Sequence, residues 1–179
     1  AVTAVTDSID TSTVTLTATP SVVEGGTVVY TATVTSPVTV APLVISLANG
    51  QSITIAVNAT SGSVNYVAPN NVYATNPALT NSITGMTGGN FEKLVSAGTP
   101  TTTVTDNPLN LDTTNVTLTA TSNVEEGGQI TYTAKLSNPA GSAMTVSLSN
   151  GSTISIAKNA TEGSVTVDAP RNTVYVDGG

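Results

Sequence analysis

The stretch VTLTATPSVVEGGTVVYTATV, residues 14–34, alternates apolar and hydroxyl side chains on both sides of a glycine pair. Val, Leu and Ala take every second position in its first arm, and Val, Tyr and Ala do so in its second arm. A period of two places alternate side chains on opposite faces of a β-strand. The stretch therefore predicts two strands joined by a turn, each with an apolar face towards a core and a threonine-rich face towards solvent.

The same pattern returns about 100 residues later as VTLTATSNVEEGGQITYTAKL, residues 116–136. Further along, LANGQSITIAVNATSGSV (47–64) is matched by LSNGSTISIAKNATEGSV (148–165). A repeat of this length is a common domain size and can bury a core of its own.

The spacing of the repeat predicts the domain boundaries. We expect residues 1–7 to be the tail of a preceding repeat, because AVTAVTD resembles TTTVTD at 101–106. Residues 8–106 form the first repeat. Residues 107–179 form a second repeat that lacks its C-terminal part.

Short turns separate the alternating segments. Apolar residues alternate on both sides of Asn49-Gly50 and again on both sides of Asn150-Gly151. Asn-Gly suits the positive φ angles of a tight hairpin. Each pair therefore predicts a hairpin in its own repeat.

The remaining segments complete an all-β fold. Residues 63–68, 81–95 and 100–105 supply further strands, and no stretch keeps helical spacing for three turns. We predict tandem immunoglobulin-like β-sandwich repeats of about seven antiparallel strands each, stacked end to end. With an odd number of strands, the chain enters a repeat at one end and leaves it at the other.

Composition excludes several classes of function. The 179 residues include four Lys and Arg, eleven Asp and Glu, and no His, Cys or Trp, which gives a net charge of -7. Without a basic patch, nucleic acid is not an expected partner, and without a long apolar run neither is insertion into a membrane. Sites for soft metals need His or Cys, and acid-base catalysis draws mostly on groups that this chain lacks. We therefore expect no enzyme.

The carboxylates gather near the ends of the predicted strands. Glu24 follows the first strand, so it lies at the end where the chain leaves the first repeat. Asp106 and Asp112 belong to the junction at that end, TVTDNPLNLDTTN (103–115). Glu162, in the loop after the fourth strand of the second repeat, is expected to face the same junction.

The carboxylate oxygens of these residues are ligands typical of a calcium site. Ca²⁺ takes about six to eight oxygen ligands, and Asn107 and Asn110 can add carboxamide oxygens to the carboxylates. Glu126, the counterpart of Glu24, would face a junction with a further repeat. The predicted metal ligands are Glu24, Asp106, Asp112, Glu162 and Glu126.

The same residues also have simpler interpretations that need no metal ion. The glycine pair supplies turn geometry with or without a ligand. Glu24 and Glu126 are also suited to being solubilising loop charges. Tyr30 and Tyr132 are expected to be core residues with bonded hydroxyl groups, and a turn suffices to explain the two aligned Asn-Ala-Thr triplets.

Three longer segments resemble the central repeats of giant bacterial biofilm adhesins of the large adhesion protein A (LapA) type. They are VTLTATPSVVEGGTVVYTATVT (14–35), NSITGMTGGNFEKL (81–94) and TTTVTDNPLNLDTTNVTLTAT (101–121). The resemblance implies an immunoglobulin-like extender repeat of a type I secreted protein on the bacterial cell surface. In related repeats of ice-binding adhesins, Ca²⁺ stiffens the junctions, and the acidic positions that match here are Glu24, Asp106 and Glu126.

Two functions follow as hypotheses. In the first, the repeats form a structural extender that projects a distal adhesive domain for attachment and biofilm formation. The adhesion ligand would then bind elsewhere in the parent protein, and the partners of this chain would be the neighbouring repeats. In the second, the chain is a ligand-binding module that contacts a glycan or protein through loops 35–42 or 85–90. An incomplete second repeat would also expose strand edges, which a strand from another chain, such as AVTAVT, would complete.

Overall fold

The alternating segments fold as β-strands in the computed structural model, which describes residues 2–4, 6–109 and 112–171. No helix occurs among these residues. The chain divides into two compact units, Ala1–Leu111 and Asp112–Gly179. The first unit extends past residue 106 because the backbone of Asn107 is hydrogen-bonded to Glu24.

The described residues of the first unit form ten strands. They are β1 (Thr11–Ala18), β2 (Ser21–Val23), β3 (Thr27–Val34), β4 (Leu43–Leu47), β5 (Ser52–Ile55), β6 (Ser61–Val67), β7 (Leu79–Thr80), β8 (Ile83–Gly88), β9 (Lys93–Ala97) and β10 (Thr101–Thr105). They form sheets with the strand orders β6-β3-β1-β9, β5-β4-β8 and β2-β10-β7. This all-β arrangement confirms the predicted fold class of β-sandwich repeats, and its immunoglobulin-like character stays a prediction.

The ten strands follow seven passes between the two ends of the unit. Three passes are broken where they move from one sheet to another: β1 continues as β2 after Pro20, β7 as β8 after Asn81 and Ser82, and β9 as β10 after Gly98. Most neighbours pair antiparallel, as predicted. The pairs β1–β9 and β2–β10 are parallel, because the first and last of seven passes run in the same direction and lie side by side.

The apolar face of every long strand contributes to one core. In β3, for example, Val28, Tyr30 and Ala32 are buried while Val29 and Thr33 are exposed. The buried core residues are Val14, Leu16, Val28, Tyr30, Ala32, Val34, Val38, Leu43, Ile45, Leu47, Ile53, Ile55, Ala68 and Val104. Burial of such side chains stabilises a fold by about 1.5–3 kcal/mol each.

The seven passes sort the loops between two poles of the first unit. We call the end at which residue 106 leaves the C-terminal pole, and there the amide of Gly25 donates to the carbonyl of Ala68 over 3.1 Å. At the opposite, N-terminal pole, the amide of Asn58 donates to the carbonyl of Val38 over 2.8 Å. The predicted placement of the loop that carries Glu24 is therefore confirmed within this unit.

The second unit repeats part of this arrangement. Its strands are β11 (Val116–Ala120), β12 (Gln129–Leu136), β13 (Met144–Ser147), β14 (Thr153–Ile156) and β15 (Glu162–Asp168). They form sheets with the orders β11-β12-β15 and β13-β14. The buried core residues are Ala134, Leu136, Ala140, Ile154 and Ile156.

The turn residues behave as their sequence predicts. Gly50 and Gly151 close the hairpins β4–β5 and β13–β14 with φ angles of 83° and 84°. Asn58 and Asn159, which begin the Asn-Ala-Thr triplets, have φ angles of 67° and 66°. Asn tolerates this left-handed region better than most residues, so turn geometry accounts for both triplets.

Candidate functional site

The site centres on Glu24 in the turn between β2 and β3. The backbone amide of Glu24 donates to the carbonyl of Thr105 over 2.8 Å, which joins the turn to the end of β10. Gly25 has a φ of 70°, and a Cβ on Gly26 would lie 2.7 Å from the carbonyl oxygen of Val23. The glycine pair therefore supplies turn geometry, as predicted, and this geometry directs the Glu24 side chain inwards.

The Glu24 side chain is buried, with 4% of its surface exposed. Its Oε2 accepts from the amide of Asn71 at 3.2 Å, and its Oε1 accepts from the amide of Asn107 at 3.4 Å. The side chains of Asp106 and Asn76 also lie close enough to this carboxylate to interact with it. One carboxylate thus joins the loop after β6 to the segment that follows β10.

These contacts favour the ionised form of Glu24. The amide of Asn71 makes the largest contribution and lowers the pKa of Glu24 below its ordinary value of 4.5. Burial opposes this by raising the pKa, while the amide of Asn107 and the side chains of Asp106 and Asn76 lower it further. Hydrogen bonds to the charged form outweigh the cost of removing the carboxylate from water.

Carboxamide groups extend the site into the loop after β6. The Asn71 Nδ2 group donates to the Asn76 Oδ1 atom, and the Asn71 Oδ1 atom accepts from the amide of Tyr73 at 2.8 Å. The Nδ2 atom of Asn76 is buried without a hydrogen-bond partner. The site therefore combines two carboxylates with several carboxamide groups.

Two cavities adjoin this pole. One of about 230 Å³ is lined by Val23, Glu24, Gly25, Gly26, Asn70 and Asn107. The other, of about 310 Å³, is lined by Pro69, Asn71, Tyr73, Thr75, Asn76, Pro77, Leu79 and Val104. The first is bordered by the Glu24 carboxylate and the second by mostly apolar side chains.

The structure brings together two of the five predicted metal ligands. Glu24 and Asp106 meet within the first unit. Asp112 is exposed in the second unit. Glu162, expected in a loop, is instead the first residue of β15, opposite Lys135 in register. That these residues share a junction stays a prediction.

Glu126 is exposed, unlike its counterpart Glu24. Gly127 has a φ of 73°, close to the 70° of its counterpart Gly25, but its amide donates to the carbonyl of Pro170 over 2.7 Å and not to that of Ala169, the counterpart of Ala68. Asn110, predicted to add an oxygen ligand, lies outside the described residues. Within residues 2–4, 6–109 and 112–171, no group of three or more acidic side chains is arranged to hold a metal ion.

Asn71, Asn76 and the loop that carries them were not predicted from the sequence. Their segment, NNVYATNP (70–77), contains no motif with a recognised chemistry. The available signal is topological, because a loop after the fifth pass must lie at the same pole as Glu24. Sequence alone does not indicate which of its amides reaches the carboxylate.

Two tandem all-β units, each with an apolar core between small sheets, define a β-sandwich repeat protein. The sequence model of the LapA domain family matches residues 10–107 and 112–179, so the chain belongs to this family. The predicted resemblance is therefore confirmed, and the chain is a segment related to biofilm adhesins. A comparison with curated proteins gave no match. In the part of the chain that the structure describes, no helix has the length and hydropathy needed to cross a membrane.

Proposed function

We propose that this chain is a structural extender of a cell-surface adhesin, exported by type I secretion, that projects a distal adhesive domain for attachment and biofilm formation. The observation that carries the proposal is the topology of the first unit. Because β1 and β9 are parallel, as are β2 and β10, the chain enters at one pole and leaves at the other. A repeat with this topology adds to the reach of the chain with every copy.

The packing at the C-terminal pole supports a mechanical role. The outgoing segment after β10 is held by the amide of Asn107 on Glu24, and the amide of Glu24 is in turn bonded to Thr105. The point at which the chain leaves the unit is therefore fixed by a buried carboxylate. In this proposal the work is structural and involves no catalytic turnover.

Small-angle scattering from residues 1–179 tests the extender. Each full repeat should add roughly 30–40 Å, because strands rise about 3.3 Å per residue. We expect a maximum dimension well beyond that of one globular domain of about 100 residues. A maximum dimension no longer than one such domain, with and without Ca²⁺, would contradict the proposal.

Calcium binding near Glu24 is the finer part of this proposal. The donor chemistry fits Ca²⁺, because carboxylate and carboxamide oxygens are its preferred ligands. Each Glu24 oxygen accepts one backbone hydrogen bond, and the side chain of Asp106 lies beside this carboxylate. Asp112 and Glu162 would complete the site if the second unit approaches this pole, and Glu126 would serve the next junction.

Thermal unfolding with Ca²⁺ and with a chelator tests the metal. A ligand at 100 times its Kd stabilises the folded state by about 2.7 kcal/mol, so Ca²⁺ should raise the melting temperature. Glu24→Gln should remove most of this increase, and Glu162→Gln shows whether the second unit contributes. A melting temperature that chelator leaves unchanged would argue against calcium.

A second candidate function, binding of a glycan or protein, is favoured by the 310 Å³ cavity. Tyr73, Pro77 and Leu79 give it apolar walls, and Asn71 and Asn76 add polar groups, a composition typical of ligand sites. The predicted loops 35–42 and 85–90 are less suitable because they are hydrogen-bonded to each other: the amide of Gly89 donates to the carbonyl of Ala41 over 3.2 Å.

Titration with surface polysaccharide tests this function, with the NMR chemical shifts of residues 69–79 as the readout. Absence of saturable shifts there would exclude it.

A further inference from the structure

Strand β6 of the first unit is a sheet edge without charge. It is an outer strand of the sheet β6-β3-β1-β9, and among the described residues it pairs with β3 alone. The other outer strand of that sheet, β9, begins with Lys93 just after Glu92. The sequence has no charged residue between Glu24 and Glu92, so β6 lacks the charges that commonly protect a strand edge from pairing.

The backbone of β6 alternates between hydrogen bonds to β3 and an open side. The amide of Val34 donates to the carbonyl of Thr60 over 2.8 Å, and the amide of Ala68 donates to the carbonyl of Gly26 over 2.8 Å. In an antiparallel ladder such bonds fall on every second residue, so the even-numbered residues of this strand face β3. The odd-numbered residues direct their N–H and C=O groups to the open side, and their side chains are exposed: Ser61, Ser63, Asn65 and Val67.

We propose that β6 pairs antiparallel with β6 of a second copy of this chain. A two-fold axis at Val64 uses all four open residues, because Val64 is the midpoint of β6. This register places Ser61 opposite Val67 of the second copy and Ser63 opposite Asn65. Each of these pairs exchanges backbone hydrogen bonds, and the two four-stranded sheets become one continuous sheet.

The matching strand of the second unit carries charges that oppose the same pairing. In the aligned repeats, Glu162 and Asp168 of β15 occupy the positions of Ser61 and Val67 in β6. The register proposed for β6 would place Glu162 opposite Asp168 of a second copy at both ends of a β15 pair. Like charges directly opposite each other destabilise strand pairing. The repeat position therefore permits self-pairing in β6 and disfavours it in β15.

Pairing also covers exposed apolar surface at this edge. Val67 is 63% exposed, and in the proposed register it lies beside Ser61 of the second copy. Val29, on β3 opposite Asn65, is 37% exposed one strand further in. A contact between two strand edges is small compared with a permanent interface, so we expect a weak and reversible dimer.

The two-fold axis reverses the direction of the second copy. The strands of the first unit run between its poles, so the C-terminal pole of one copy lies beside the N-terminal pole of the other. Chains that project from two facing cell surfaces meet in this relative direction, and several repeats along each chain would strengthen the contact. This consequence for cell-to-cell cohesion rests on the proposed extender function, whereas the pairing itself does not.

Sedimentation equilibrium of residues 1–179 tests the pairing with two double variants. Ser61→Glu with Val67→Asp gives β6 the charges of β15 and should weaken dimerisation by about tenfold or more, because two like-charge pairs face each other. Ser61→Glu with Val67→Lys is the matched control, since it places opposite charges at the same exposed positions, and dimerisation should be at least as strong as in the unaltered chain. A monomer at every concentration up to about 1 mM, or equal dimerisation of the two variants, would overturn the proposal.

Introduced cysteines test the register, because the chain has none of its own. A mixture of Ser63→Cys and Asn65→Cys chains should form a disulfide under mild oxidation, since hydrogen-bonded neighbours have Cα atoms about 5.5 Å apart. Either variant alone should cross-link much more slowly, because its two cysteines lie on a diagonal of about 7–8 Å. A mixture that cross-links no faster than the single variants would refute the two-fold axis at Val64. Scattering from dilute solution tests the extender separately, so failure of either proposal can be recognised by itself.

Discussion

Glu24 and Glu126 occupy the same position of the repeated sequence in different environments. Glu24 is buried beneath the amides of Asn71 and Asn107, and Glu126 is exposed. The sequence repeat was enough to predict that a carboxylate recurs at this position. The alternating direction of successive strands was enough to predict at which pole of the unit Glu24 lies. Its burial could not be predicted, because its partners belong to loops whose sequences carry no pattern.

Replacement of Glu24 should destabilise the first unit. In Glu24→Gln the side chain loses its negative charge. The new carboxamide NH₂ group is a donor, and it would face the backbone N–H groups that donate to the carboxylate in the unaltered chain. We expect a lower melting temperature for the first unit, measured by calorimetry. Glu126→Gln is the matched control and should leave the melting temperature nearly unchanged, so equal decreases in the two variants would contradict a specific role of Glu24.

The lowered pKa of Glu24 predicts a pH dependence of stability. A carboxyl group with a lower pKa in the folded state stabilises the fold at pH values above its unfolded pKa. This contribution begins to decline near the ordinary value of 4.5 and disappears as the pH falls through the folded pKa. The melting temperature should therefore fall more steeply below pH 4.5 in the unaltered chain than in Glu24→Gln, and parallel curves would refute the assignment.

The broken strands are the distinctive elements of the first unit. Two buried polar side chains lie beside the breaks: Asn81 between β7 and β8, and Thr102 in β10, whose Oγ1 donates to the carbonyl of Thr19 over 2.7 Å. Alternation in the sequence predicted most of these strands, because it depends on local geometry. It did not predict the breaks, because the move from one sheet to another depends on tertiary hydrogen bonds of single residues.

Thr102→Val tests the break between β1 and β2. Valine has nearly the shape of threonine but cannot donate to the carbonyl of Thr19. Leaving that buried acceptor unpaired should lower the free energy of unfolding by about 1–3 kcal/mol. Thr103→Val, at the next and exposed position of β10, should change it by less than about 0.5 kcal/mol in denaturant titrations. Similar losses in both variants would contradict the role of the Thr102 hydroxyl.

At the scale of the whole chain, one sequence pattern supports two cores of different extent. The alternation within residues 116–136 matches that within residues 14–34, and the strand pairing is the same: Val14 lies opposite Val34, and Val116 lies opposite Leu136. Local strand formation therefore follows from sequence in both units, whereas burial depends on more distant segments.

Matched substitutions measure this difference between the units. Leu16→Ala removes a fully packed side chain and should lower the free energy of unfolding of the first unit by about 2–5 kcal/mol. Leu118→Ala should cost the second unit much less, because half of that side chain is already exposed. The two transitions can be followed by hydrogen exchange of β1 and β11, and equal losses would mean that the exposed face is packed in solution.

The parallel pairing of the first and last passes determines how the first unit responds to tension. Force on a chain held at both poles pulls β1 and β2 in one direction and β9 and β10 in the other, along their shared hydrogen bonds. In this direction the bonds are loaded together, whereas bonds in a hairpin pulled from its open end break one after another. Forced unfolding is governed by the unfolding rate rather than by equilibrium stability. A unit of ordinary thermodynamic stability can therefore resist pulling for a long time.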